Sequence, residues 1–337
     1  MKHLFLFLFM TFSPWIFSYA FAADSTSSSK PGQGSSIPVS LYELNHISGR
    51  PADRESEKTI THNSISFSSI INADIKPNEP FNTGLNYPML GSLGAALTGS
   101  GFVMHNYMED AWWKQKEKFY FSNDYWSKLS NFNKFSHFYS VNLLGHLFSG
   151  AYEASGMQAL GSTWYSSLSA LAYMSYIELE NGFHKNNGFS LSNFSADILG
   201  TAFYIGQYYI PEMKSLMPKV SFKPVKRQNN VGSIIFDDYA GQKYWMSLRI
   251  KEFLPEKVSA FWPSFIMIAA GAGLKYDGNS RNLGGPMEFY FALDLDAEKL
   301  PLYGPFWQFA KNTLNYIHFP MPGVRVTPQS AFLMFCF

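Results

Sequence analysis

The spacing of apolar and polar positions along this chain changes period once, near Pro211. Upstream, apolar residues recur every three or four positions over 134–154, 158–180 and 192–209, which predicts three helices, each apolar on one side. Polar residues also enter these segments: Ser166, Ser167, Ser169 and Glu178 in the second, Asp197 in the third. A further segment, PMLGSLGAALTGSGFVMHNYM from Pro88, mixes small and apolar residues and carries Gly91, Gly94, Gly99 and Gly101. Small residues at near-helical spacing let helices approach closely, so it reads either as a short membrane span or as a buried helix of a bundle.

Downstream the period becomes two. In QKYWMSLRIKEF, Tyr244, Met246, Leu248 and Ile250 share one face while Ser247, Arg249 and Lys251 share the other. In PMEFYFALDLD, Phe289, Phe291, Leu293 and Leu295 oppose Glu288, Tyr290, Asp294 and Asp296. Both read as half-buried antiparallel strands. SFIMIAAGAGLKYDG fits a strand or a short helix, and Phe306, Phe309, Thr313 and Ile317 mark a helix near 305–317. FPMPG then breaks the chain, and SAFLMFCF is a final strand ending on Phe337, as many outer-membrane barrel proteins end. The strands visible are too few for a full barrel. The predicted fold is α+β: an N-terminal bundle of about four helices over 86–212, then a small antiparallel β-sheet in a β-rich region, 213–337, packed on it.

The first 85 residues have another character. Lys2 and His3, the run LFLFLFM and Ala20-Phe21-Ala22 have the parts of a cleaved secretory signal over 1–22, since Ser13-Pro14 interrupts what would otherwise be a retained anchor. STSSSKPGQGSS opens a flexible linker, 23–85, with a weak strand signal at 64–71. The only cysteine is Cys336, so an intramolecular disulfide is ruled out and attachment through a lipidated N-terminal cysteine is not expected.

Composition sharpens the class. The chain is 18% aromatic and only 15% charged, against about 25% charged for an ordinary soluble domain. That shortfall points to membrane contact or a very large interior. A net charge of +1 without a basic groove excludes nucleic acid as the expected partner. A phosphate-binding loop, HExxH and a convincing nucleophile elbow are all missing, and Cys336 lacks the setting of a catalytic thiol.

The short motifs that remain resemble one family. Asn133-Lys134-Phe135-Ser136-His137 looks like its acid-Lys-x-x-His helix start, and Glu178-Leu179-Glu180-Asn181-Gly182 like its Glu-x-x-Asp-Gly. Gly188, Ser190, Asn193, Asp197 and Gly200 follow its next element, and the similarity runs over about 88–337. The family is the YfiM-like one of predicted periplasmic (lipo)proteins, a bacterial domain of unknown function. The resemblance implies an exported, periplasmic, membrane-associated protein, with the outer membrane one possible site. It supplies no activity.

At helical spacing Lys134 and His137 share a face, as do Asn193, Asp197 and Gly200. With Glu178, the two stripes form a buried Lys/His/Glu/Asp cluster, to which Asn133, Asn181, Ser190 and Asn193 contribute amides and a hydroxyl. In the structural reading Lys134 pairs with Asp197 or Glu178 and the network fixes helix register. In the catalytic reading His137 is a general acid or base positioned by Glu178, with Lys134 on an anionic headgroup. Asparagines at 133, 181 and 193, where the family pattern has acids, weaken both catalysis and metal ligation, so no metal site is expected. No cofactor is indicated. The expected partner is a membrane lipid or envelope component, with an enzyme of lipid or glycan headgroups as the alternative.

Overall fold

The structure, a computed structural model, describes residues 84–123, 128–185, 187–224, 239–275 and 286–337. The signal, nearly all of the linker and the strand read at 64–71 lie outside these residues. Among the described residues are six helices and one six-stranded sheet, the helical part preceding the sheet.

Helix α1 spans Tyr87–Ala111, α2 Lys128–Ala154, α3 Ala159–Asn181 and α4 Leu191–Tyr209. Asn86 caps α1 by accepting from the Met89 N–H at 3.0 Å, and Ser190 caps α4 by accepting from the Asn193 N–H at 3.1 Å. Helices α2 and α3 pack through Val141, Phe148, Ala170 and Met174, and α4 packs against both. Along α1 only Leu93 and Met108 are buried. Its glycines do not serve close packing: a methyl at Gly91, Gly94 or Gly99 would meet nothing within 4 Å.

The sheet is an antiparallel meander in chain order: β1 Leu216–Phe222, β2 Gln242–Leu248, β3 Ile266–Leu274, β4 Met287–Leu295, β5 Met321–Thr327 and β6 Ala331–Cys336. A single turn, α5 (Glu256–Ser259), precedes β3, and α6 (Pro305–Leu314) links β4 to β5. The ambiguous SFIMIAAGAGL is a strand. The FPMPG expectation is corrected: Met321, Pro322 and Gly323 lie inside β5, where the register with β6 shifts between Met321 and Gly323. Proline is tolerated at such an irregularity because no ladder N–H is required of it.

Beyond β4 the chain returns to the free edge of β1. The Val220 N–H donates to the Tyr316 carbonyl, and the His318 N–H donates to the Val220 carbonyl, both at 2.9 Å. The segment that becomes β5 therefore touches β1 and β4, and the sheet curls. Helix α2 lies on this curl: Phe132 and Tyr139 pack with Val220, Tyr244, Met267 and Tyr316. Phe132 is fully buried, which contributes roughly 1.5–3 kcal/mol relative to exposure.

Candidate functional site

Helix α2 carries His137 to a point where it faces α3 and α4. It can come close because α4 has Gly200 at the crossing: a methyl there would sit 2.4 Å from the Val141 Cγ1 and 2.8 Å from the Phe138 carbonyl oxygen. Glu178 arrives from the last turn of α3, and Asp197 from the second turn of α4.

The imidazole bridges the two acids. His137 Nδ1 lies 3.0 Å from Asp197 Oδ1 and 3.1 Å from Oδ2, and Nε2 lies 3.3 Å from Glu178 Oε1. The side chains of Glu178 and Asp197 are 1% and 0% exposed, whereas that of His137 is 13% exposed. Solvent therefore reaches the group through the ring.

Glu178 has further donors. The Ser190 N–H donates to Oε2 at 3.0 Å, and the Asn193 and Asn181 amides donate to Oε1 at 3.2 and 3.4 Å. Trp113 Nε1–H in turn donates to Asn181 Oδ1 at 2.8 Å. Burial raises the Glu178 carboxyl above its ordinary range; the charge of His137 and the Ser190 and Asn193 donors oppose that rise. Two arrangements of equal charge are then available. An imidazolium can donate to both carboxylates, or a protonated Glu178 can donate to Nε2 of a neutral ring whose Nδ1–H faces Asp197. A proton can pass between His137 and Glu178 in such a contact, which is the chemical capacity of the site.

The structure thus brings His137, Glu178, Asp197, Ser190, Asn193 and Asn181 together. His137 meets both carboxylates. Lys134 lines a surface groove of about 390 Å3 with Leu191, Ser192, Ser195, Ala196 and Leu199. Asn133 is half-buried, and its Oδ1, like those of Asn142 and Asn193, accepts no hydrogen bond among the described residues.

A second polar cluster inside the curled sheet escaped sequence reasoning. Lys219 Nζ lies 2.8 Å from Asp294 Oδ2 and donates to the Leu295 carbonyl and Asn315 Oδ1 at 2.7 and 3.0 Å. Asp294 also accepts from the Ser247 hydroxyl at 2.6 Å and lies 3.2 Å from His318 Nδ1. The His318 ring stacks on Trp245 with centroids 3.9 Å apart. Although burial works against ionisation, His318 and Lys219 hold the Asp294 carboxyl down at about 2. The signal available was the alternation of Asp294 and Asp296 with leucines; its partners lie far away in sequence.

Comparison with known proteins fits the motif reading. Residues 117–208 match the family model described as Predicted periplasmic lipoprotein (DUF2279), a domain of unknown function, so this stretch is a domain of the family that the motifs resemble. The match covers α2, α3 and α4 with their lead-in, and not the sheet. No curated protein and no solved structure matches the chain.

Proposed function

We propose that this chain, carrying a domain of a predicted periplasmic family, works with its outer faces against membrane lipid, as a structural or lipid-binding component of the cell envelope. One observation carries the reading. Helix α3 buries Ser162, Thr163, Ser166, Ser167 and Glu178 and turns Trp164, Tyr165, Leu168 and Leu179 outward at 42%, 58%, 53% and 48% exposure. In water the hydrophobic effect drives the opposite arrangement.

The sheet repeats this polarity. On β4, Glu288, Tyr290 and Asp294 point inward while Phe289 and Phe291 point outward. The outward row continues across the register from Phe291 to Val324 to Phe332. Exposed apolar surface of this extent marks an interaction site, and polar-in, apolar-out strands are the pattern of lipid-facing sheets. No helix of the described residues is long and apolar enough to cross a membrane.

The test is extraction. The chain should stay with the membrane fraction in high salt and leave it in mild detergent. Recovery as a monodisperse monomer in detergent-free buffer would sink the reading.

The contact between His137 and the buried Glu178 favours a second reading, acid–base chemistry on a lipid or glycan headgroup through these two residues. It requires that Glu178→Gln abolish a measurable turnover while leaving the unfolding midpoint nearly unchanged. Loss of stability with no turnover to lose would reject it.

A further inference from the structure

The extended segment 112–123 between α1 and α2 straps one end of the helical region. It is tied to the α3–α4 connection by backbone hydrogen bonds: Glu117 N–H to the Phe183 carbonyl at 2.7 Å, Lys185 N–H to Gln115 at 2.9 Å, Tyr120 N–H to Gly182 at 3.0 Å and Phe189 N–H to Tyr120 at 2.9 Å. Beneath the strap Trp113 stacks on His184, each 2% exposed, with centroids 5.3 Å apart. At Gly182 a methyl would sit 2.3 Å from the Phe119 ring, so the strap lies directly on the connection. Its side chains are held on a fixed base.

What that base displays is unusual. Phe119 and Phe121 lie edge to face with centroids 5.4 Å apart, and Phe119 meets Phe183 at 5.2 Å. The three rings are nevertheless 38%, 60% and 43% exposed. Lys114, Lys116, Lys118 and Lys185 stand exposed in the same strap and connection, where the only acid is Glu117. Aromatic rings beside lysines are the composition of a membrane–water interface. The patch also continues the outward stripe of α3, since Tyr176, Leu179 and Phe183 follow one another at helical spacing and are all exposed.

We propose that this strap docks on an anionic membrane surface, with Phe119, Phe121 and Phe183 at the acyl boundary and Lys114, Lys116, Lys118 and Lys185 on negatively charged headgroups. This rests on the membrane reading above and adds to it a place and a lipid chemistry. Charge complementarity selects the occupant: a neutral bilayer or an apolar protein groove would use the phenyl rings and leave four lysines without a counter-charge. A lysine near an anionic surface contributes roughly a fivefold gain in binding, and the gain falls with salt.

The experiment is flotation of the full chain, diluted from mild detergent, with vesicles of phosphatidylcholine alone or with one quarter phosphatidylglycerol. Wild type should bind the anionic vesicles more tightly. Lys116→Gln/Lys118→Gln should lower that binding by roughly twentyfold and leave binding to neutral vesicles unchanged, whereas Phe121→Ser should lower both. These side chains are exposed, so an unchanged unfolding midpoint certifies each variant. Undiminished binding of the lysine variant to anionic vesicles would overturn the proposal while leaving the membrane reading standing. Loss of binding when inorganic phosphate replaces chloride at equal ionic strength would also overturn it, because the lysines would then be a site for a free anion. Wild type that floats with neither vesicle would remove both readings together.

Discussion

His137 Nε2 lies 3.3 Å from Glu178 Oε1 while the other nitrogen of the same ring lies 3.0 Å from Asp197, so one imidazole joins three helices. Removing it takes away one contact from each of two fully buried carboxylates. Breaking one side of a buried charge network costs about 3–5 kcal/mol. His137→Ala should lower stability by that order, and His137→Ala/Glu178→Gln should recover part of it by removing one buried charge. Urea unfolding of the four members of the cycle measures the coupling. Strict additivity would mean that the bridge does not exist in solution.

That cluster was legible because helical spacing is regular: Lys134 and His137 on one stripe, Asn193, Asp197 and Gly200 on another, and a glycine where the stripes meet. That one imidazole would meet both acids was not legible, because it depends on how α2 is rotated against α3 and α4. The alternation in β4 was equally plain, but alternation says only that two faces differ and not which one is buried. Here tertiary context chose the acids for the interior. Strand β5 was missed because FPMPG read as a break, although Pro322 lies at a register shift. The Lys219–Asp294 pair was invisible for another reason: its members sit on strands that meet only when the sheet curls.

That pair gives a second prediction. Asp294 receives Lys219, Ser247 and the Phe319 N–H while 0% exposed. Asp294→Asn should therefore destabilise by about 3–5 kcal/mol, and Lys219→Met/Asp294→Leu by less than either single change. Thermal unfolding in one detergent condition would show it. A double variant worse than both singles would mean that the polar interior is required for the sheet to form.

Acid should weaken the fold through His146. Its ring lies between Phe309 and Tyr316, Nε2 meets the Thr313 hydroxyl at 3.0 Å, and burial pushes it down to about 4. The folded protein then binds fewer protons than the unfolded chain below about 6.5. The stability this contributes is present above about 6.5 and is lost as the pH falls toward 4, roughly 3 kcal/mol in full. Glu178 acts in the opposite sense: its raised carboxyl contributes stability at acid pH that is lost as the pH rises through its folded value. His146→Phe should flatten the loss between about pH 6.5 and 4, and Glu178→Gln, by removing the opposing contribution, should steepen it. An unaltered acid limb in His146→Phe would assign the loss to other groups.

The close crossing of α2 and α4 should tolerate nothing larger than glycine at position 200. In Gly200→Ala the added methyl would lie 2.4 Å from Val141 Cγ1 and 2.8 Å from the Phe138 carbonyl oxygen, and only the first of these can be relieved by trimming a side chain. The expected cost is about 1–3 kcal/mol, with Gly200→Ala/Val141→Ala recovering part of it but not all, because the backbone oxygen remains. Since the same crossing sets the distance from His137 to Asp197, the imidazole resonances in a nuclear magnetic resonance spectrum of Gly200→Ala should shift with the stability. A methyl accepted at no cost and with no change at His137 would show that the helices stand farther apart than this packing requires, and the three-helix bridge would have to be redrawn.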